Sequence, residues 1–224
     1  ICNYIHMCYY KDFMKKIILL FFFALISLFN NGIGLAEEPG NYLKGKFYSS
    51  VKNHFLIATE KMNDDRFSET VIIMLESDEN GAWGLAINKR IGTVPIALLL
   101  DSSLNTSKER EELFKINIPI FWGGPVDTKE IFILHSTEYT SETTKRYGEI
   151  SISKDYDILF DIAKNEGPKK SLIILGYSGW GSGQLEGEME RDHWILSDID
   201  LEITFDEESK RKWNKALSKS FIKI

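Results

Sequence analysis

The chain has 224 residues, of which 43% are hydrophobic, 12% aromatic and 27% charged. That composition buries a substantial core and excludes disorder, collagen-like repeats and coiled coil. Lys plus Arg number 27 against 33 Asp plus Glu, a net charge of −6, and an acidic surface repels a phosphate backbone, so direct DNA binding is disfavoured.

Residues 1–13 do not begin with Met and hold both cysteines, Cys2 and Cys8; they read as upstream sequence. From Met14 onward, Lys15-Lys16, the apolar run Ile17 to Phe29 and the small-residue pattern Gly34-Leu35-Ala36 make a signal peptide over 14–36, cut after Ala36. As a helix that run spans about 20 Å, short of the roughly 30 Å hydrocarbon core. The expected product is an exported domain over 37–224, periplasmic in a Gram-negative host, whose membrane contact is made only by the leader. An uncleaved anchor and a cytoplasmic protein are the alternatives. That domain contains no cysteine, which excludes thiolate catalysis, Cys-ligated zinc and disulfides within it.

β-branched and aromatic runs bounded by turn residues predict strands at His54–Ala58, Thr70–Leu75, Trp83–Asn88, Ile118–Trp122, Ile131–His135, Glu149–Ile152, Leu172–Tyr177 and Trp194–Leu196. Asp78-Glu79-Asn80-Gly81 predicts a hairpin turn between the second and third. Gly123-Gly124-Pro125 followed by Asp127-Thr128-Lys129 is a short connection between the fourth and fifth, and predicts that those two pair antiparallel. Residues 101–112, rich in Ser, Asn, Lys and Glu, read as a surface excursion after a helical turn at Pro95–Leu100. Apolar spacing predicts a helix around Tyr156, Leu159, Ile162 and Ala163, started by Ser153 or Asp155 and stopped by Gly167-Pro168. A short acidic helix is expected over Gln184–Asp192. A third carries Trp213, Ala216 and Leu217 on one stripe, with acids ahead of it and Lys215 and Lys219 behind. With no linker and no repeat, one α+β domain is the economical architecture.

The most unusual stretch is Gly176-Tyr177-Ser178-Gly179-Trp180-Gly181-Ser182-Gly183-Gln184-Leu185-Glu186, read as a strand entering a glycine-rich turn and then a helix. It fails as a dinucleotide fingerprint because Gln184 stands where the third glycine belongs, and as a phosphate loop because it lacks Gly-Lys-Ser/Thr. Ser178 fails as a nucleophile elbow because Trp180 replaces the second glycine. Such a turn can cradle an anion on free backbone N–H groups, and three readings are left: a turn packed around Trp180, a surface that recognises a ligand or partner, or a catalytic loop. Glu186, Glu190 and His193 share one helical face if the helix extends that far, but acids in a first turn follow from the dipole alone, and no metal is expected. His135 at a strand end is either a hydrogen-bonded structural histidine or a general base. Asn88 either closes a turn or orients a ligand.

Phe55-Leu56-Ile57-Ala58, Phe67, Gly81 to Asn88, Gly123-Gly124-Pro125-Val126, Phe132-Ile133-Leu134-His135 and Leu175 to Glu188 together resemble the YqgE/AlgH family in order and spacing, over roughly residues 45–215. Thr59-Glu60, Ser77 and Glu130 depart from the family pattern of Met-Pro, His and Arg. The resemblance implies a single α+β domain in which a largely antiparallel sheet folds into a pseudo-barrel flanked by helices. It brings a transcriptional-regulator label for some members and no enzymatic activity or cofactor. The resulting expectation is a non-enzymatic protein- or ligand-binding or regulatory protein. Its candidate contacts are Asn88, Gly123, Gly124, His135, Gly179, Trp180, Gly181, Gly183, Gln184 and Glu186, with no cofactor. The rival is a hydrolase or transferase using His135 with Glu186 or Glu188 as acid/base groups, which requires those side chains to converge.

Overall fold

Two continuous apolar runs explain the layering. Strands β1 (His54–Ala58) and β2 (Val71–Asp78) do not alternate; Phe55 to Ala58 and Val71 to Leu75 are all fully buried. A strand apolar on both faces must be covered on both. Phe55, Ile57, Val71, Ile73 and Leu75 enter one core with Trp213 and Ala216, while Leu56, Ala58, Ile72 and Met74 enter another with Trp180, Leu185, Met189 and Trp194.

The computed structural model describes residues 50–100 and 107–220; the expected leader at 14–36 and residues 1–13 lie outside the described residues. The remaining strands are β3 (Gly81–Ala86), β4 (Arg90–Pro95), β5 (Asn117–Trp122), β6 (Val126–Ser136), β7 (Lys145–Tyr147), β8 (Ile150–Ser153), β9 (Ser171–Gly181) and β10 (Trp194–Asp198). Their order is β10-β1-β2-β3-β9-β6-β8-β7, with β5 and its partner β4 branching from β9. Only β5 against β9 is parallel among these pairs. The sheet curls into an antiparallel half-barrel flanked by helices, the single α+β domain expected. The helices are α1 (Ser107–Phe114), α2 (Asp157–Ala163), α3 (Gln184–Glu190) and α4 (Ser209–Ser220), with a single 3-10 turn at Ile96–Leu98. Asp155 Oδ1 accepts the Ile158 backbone N–H at 3.2 Å at the start of α2, as its position before the helix foretold.

The β2–β3 hairpin forms where Asp78 to Gly81 predicts it: the Asn80 N–H donates to Asp78 Oδ1 at 2.8 Å and Gly81 has a φ of 144°. Four expectations are corrected. β5 and β6 do not pair, although only Gly123 to Pro125 joins them. Both lie against residues 173–175 of β9, on opposite edges. Gly124 makes that crossing possible: a Cβ there would lie 2.1 Å from the Tyr177 carbonyl carbon. Residues 107–112 of the expected excursion are helical, within α1, and 101–106 lie outside the described residues. The glycine-rich turn is shorter than the glycines indicate, because β9 continues, with an irregularity at Gly176, through Gly179 to Gly181. Ser182-Gly183 alone makes the turn, with Gly183 left-handed at φ 71°. Finally, α3 stops at Glu190, so His193 is not on one helical face with Glu186 and Glu190. β4 and β7 escaped prediction because they are short and largely exposed, without an apolar alternation.

Helix α4 is locked to the sheet by two polar contacts as well as by its apolar stripe. The Trp213 indole donates to the Ala58 carbonyl at 2.7 Å. Lys212, only 1% exposed, donates from Nζ to the carbonyls of Thr204 at 2.6 Å and Ile87 at 3.3 Å, over the Phe121 ring. Thr204 lies in a π-helical turn at Glu202–Asp206, whose wider spacing leaves carbonyls to be satisfied from outside.

Candidate functional site

The last residues of β9, the helix α3 and the start of β10 meet the loop 62–67 around a cleft of about 290 Å³. Its floor is aromatic. Trp180 and Trp194 sit edge to face with centroids 5.9 Å apart, Trp194 meets Phe67 at 5.7 Å, and Phe67 meets Trp122 at 5.4 Å. Trp180 is 7% exposed and is a packing anchor of the second core.

Glu188 organises this floor. Its Oε2 accepts the indole N–H of Trp180 at 3.0 Å and of Trp194 at 2.7 Å, and its Oε1 accepts the Gln184 amide at 3.0 Å. One carboxylate thus holds β9, α3 and β10 in register. Gln184 completes the frame by accepting the Gly181 N–H at 3.2 Å, so that N–H is occupied and does not cradle an anion. On the opposite wall Asp64 takes Arg66 in a fork, with Nε to Oδ1 at 3.0 Å and Nη2 to Oδ2 at 2.6 Å. That contact holds the Asp64 carboxyl below its ordinary range.

Arg191 and His193 also line the cleft, and neither side chain has a hydrogen bond or ion pair among the described residues. The β9 backbone contributes too. Gly179 faces Trp83 of β3 on one edge, and Tyr177 is the last β9 residue paired with β6 on the other. Backbone groups alternate between the two edges of an antiparallel strand, and Gly181, two residues on, turns its N–H toward Gln184. The N–H and C=O of Gly179 therefore point to the edge that carries no strand among the described residues, beside the cleft.

Of the expected contacts, Gly179, Trp180 and Gln184 line this cleft, and Gly181 and Gly183 shape its turn. Gly123 and Gly124 lie behind it. The Gly123 carbonyl accepts the buried Ser178 hydroxyl at 2.9 Å and the Ala86 N–H at 3.0 Å, a packing role. Glu186 stands half-buried on α3 outside the lining. Asn88 is elsewhere: its Oδ1 accepts the Val71 N–H at 2.9 Å and its Nδ2 donates to the Glu69 carbonyl at 2.7 Å, closing the turn at Glu69, whose φ is 52°.

His135 is also elsewhere. It pairs with Ser171 at the start of β9, whereas α3 follows the far end at Gly181, about 33 Å of strand away at ~3.3 Å per residue. The imidazole is fully buried; Nδ1 donates to the Ser136 carbonyl at 2.9 Å and Nε2 accepts the Ser153 hydroxyl at 2.9 Å. Burial pushes its pKa down, so the ring is neutral with both nitrogens engaged. It cannot serve Glu186 or Glu188 as an acid/base partner, and the hydrolase or transferase arrangement is not formed.

Sequence reasoning missed Arg66 and Arg191 and weighed His193 only as a metal ligand. No spacing rule joins residues 62–67 to 191–194, since only the pairing of β1 with β10 and β2 brings them together. Among the described residues, no three His, Cys, Asp or Glu side chains are placed to hold a metal ion.

Comparison with known proteins agrees with this architecture. The AlgH-like family matches residues 55–224. A UPF0301 protein of Pseudomonas putida is 37% identical, covering 79% of this chain and 92% of that protein. The UPF0301 protein AlgH of Pseudomonas aeruginosa is 39% identical over 70% of this chain and 81% of its own length. The solution structure of AlgH from P. aeruginosa superposes with a TM-score of 0.64 at 36% identity, over 79% of this chain and 91% of that one. A crystal structure from Corynebacterium diphtheriae, at 14% identity and a TM-score of 0.59, shares the fold alone. Sequence blocks, family match and sheet topology converge, and the chain belongs to the AlgH-like family.

Proposed function

We propose that the protein is a non-enzymatic binding protein, regulatory in the cell, whose ligand sits in the cleft between loop 62–67, the end of β9 and helix α3. The observation that carries this reading is the unequal satisfaction of polar groups there. Glu188, Gln184 and Asp64 are fixed by one another's neighbours, which makes a rigid frame, while Arg191, His193 and the Gly179 backbone are left with capacity to spare. The accessible lining of the cleft is more polar than apolar, with its polar groups converging above an aromatic floor, and about 290 Å³ lies at the small end of ligand sites. Recognition thus centres on the C-terminal part of the 176–188 segment, with Trp180 acting from beneath as its anchor.

A fragment screen against the isotope-labelled full chain, read by backbone and indole N–H resonances, tests the reading. Hits should shift Gly179, Trp194 and the Trp180 indole above all others. Shifts concentrated at the separate cleft around Trp83 and Tyr177, or at the groove between Gly92 and Ser209, would overturn it.

A further inference from the structure

The spare capacity of the cleft has a sign. Both of its carboxylates are saturated: Asp64 by the Arg66 fork, and Glu188 by two indoles and one amide. The side chains left over on its rim, Arg191 and His193, include a guanidinium with five N–H donors and no acceptor. A ligand entering here meets charged donors rather than charged acceptors, so it must bring an acceptor of its own.

Resting on the reading of this cleft as a binding site, we propose that its ligand is a small carboxylic acid with a flat apolar body, its carboxylate held by Arg191 and its body laid against Phe67, above the buried Trp180–Trp194 pair. Charge favours a carboxylate over a phosphate, since a guanidinium pairs with either through two parallel N–H···O bonds. Arg66 already spends its fork on Asp64, so among the described residues Arg191 is the one full cation lining the cleft whose side chain has no ion pair. A phosphate dianion would set two charges against that single cation, with Asp64 and Glu188 nearby to repel it. The volume of about 290 Å³ admits one ring and a short acid, not a long chain. Phe67, the half-buried ring of that floor, supplies the remaining affinity through edge and face contacts, since Trp180 and Trp194 are almost wholly covered.

Titrating the full chain with phenylacetate, phenylacetamide and phenyl phosphate, followed at the Gly179, Trp194 and Trp180 indole resonances, tests this. Phenylacetate should bind at least tenfold more tightly than the neutral amide and more tightly than the phosphate, and 0.5 M NaCl should weaken it. Arg191→Gln should remove that tenfold advantage, and because the Arg191 side chain bonds to no described residue the variant keeps its fold. If the amide shifts the cleft as strongly as the acid, or if Arg191→Gln binds phenylacetate undiminished, the carboxylate assignment is overturned while the cleft stands. If phenyl phosphate is preferred, the assignment is overturned in favour of a phosphorylated ligand. If none of the three shifts the cleft, the assignment falls, and the fragment screen decides separately whether the cleft falls with it.

Discussion

The two ends of β9 are both polar, and they are built to opposite purposes. At the Ser171 end, His135 is wedged between the Ser136 carbonyl and the Ser153 hydroxyl. Ser153 in turn bonds Thr144 at 2.7 Å, and Ser141 reaches Asp155 at 2.5 Å. That cluster is closed; no buried side-chain polar atom among the described residues lacks a partner. At the Gly181 end, the groups beneath the cleft are equally well satisfied, but those on its rim are not. A histidine in a saturated, water-free network holds a fold together, whereas donors left over on a rigid rim are available to a ligand. The same residue types therefore carry different roles according to what their neighbours leave unspent.

Removing the largest side chain of the open end should have the largest effect. Trp180→Ala empties a buried aromatic site and strips one donor from Glu188, and should cost about 3 to 5 kcal/mol in denaturant unfolding. A loss below about 1 kcal/mol would make Trp180 a surface residue and break the distinction between anchored floor and open rim.

Lys212 gives a comparable effect outside both ends, through pH. Burial pushes its ammonium down to about 8 from an ordinary 10.5. The unfolded chain therefore binds more protons than the folded one between those values, and stability from this group rises with pH across that window by about 3 kcal/mol. Urea unfolding at pH 8 and pH 10 should show the rise in the wild type and not in Lys212→Met.

Matched substitutions compare the ends directly. Glu188→Leu leaves two indoles and an amide without their acceptor, and His135→Leu leaves the Ser136 carbonyl without its donor and removes one of the partners of the Ser153 hydroxyl. Each should cost about 2 kcal/mol, since a buried polar group is expensive to strand. Only the first should also disturb ligand binding. His135 adds a pH signature: its folded pKa lies below the ordinary 6.5, so its contribution is whole above pH 6.5 and is lost as pH falls below it. Thermal unfolding of His135→Gln should lose that part of the acid dependence.

The smallest effect sharpens the contrast most. Arg191→Gln should change stability by less than about 0.5 kcal/mol, because an exposed side chain with no partner contributes little to the fold. A larger loss would show that the rim is structural like the floor.

What was legible in the sequence was local. The runs Phe55 to Ala58 and Val71 to Leu75, the Asp78 to Gly81 hairpin and the Trp213 stripe each declare themselves within a few residues, because backbone sterics and side-chain period act over that range. The family resemblance was legible because several such blocks recur in order. Wherever the deciding partner is distant in sequence, the local reading failed or stayed open. Gly123 to Pro125 looked like a hairpin connection, yet the two strands it joins go to opposite edges of β9, some fifty residues on. Trp180 and His135 each admitted two roles. Their burial and hydrogen bonds settle those roles only once β9 is placed between β3 and β6. The cleft needed tertiary structure entirely. Loop 62–67 meets Arg191 and His193 because β1 lies between β2 and β10, and no pattern within either segment carries that information.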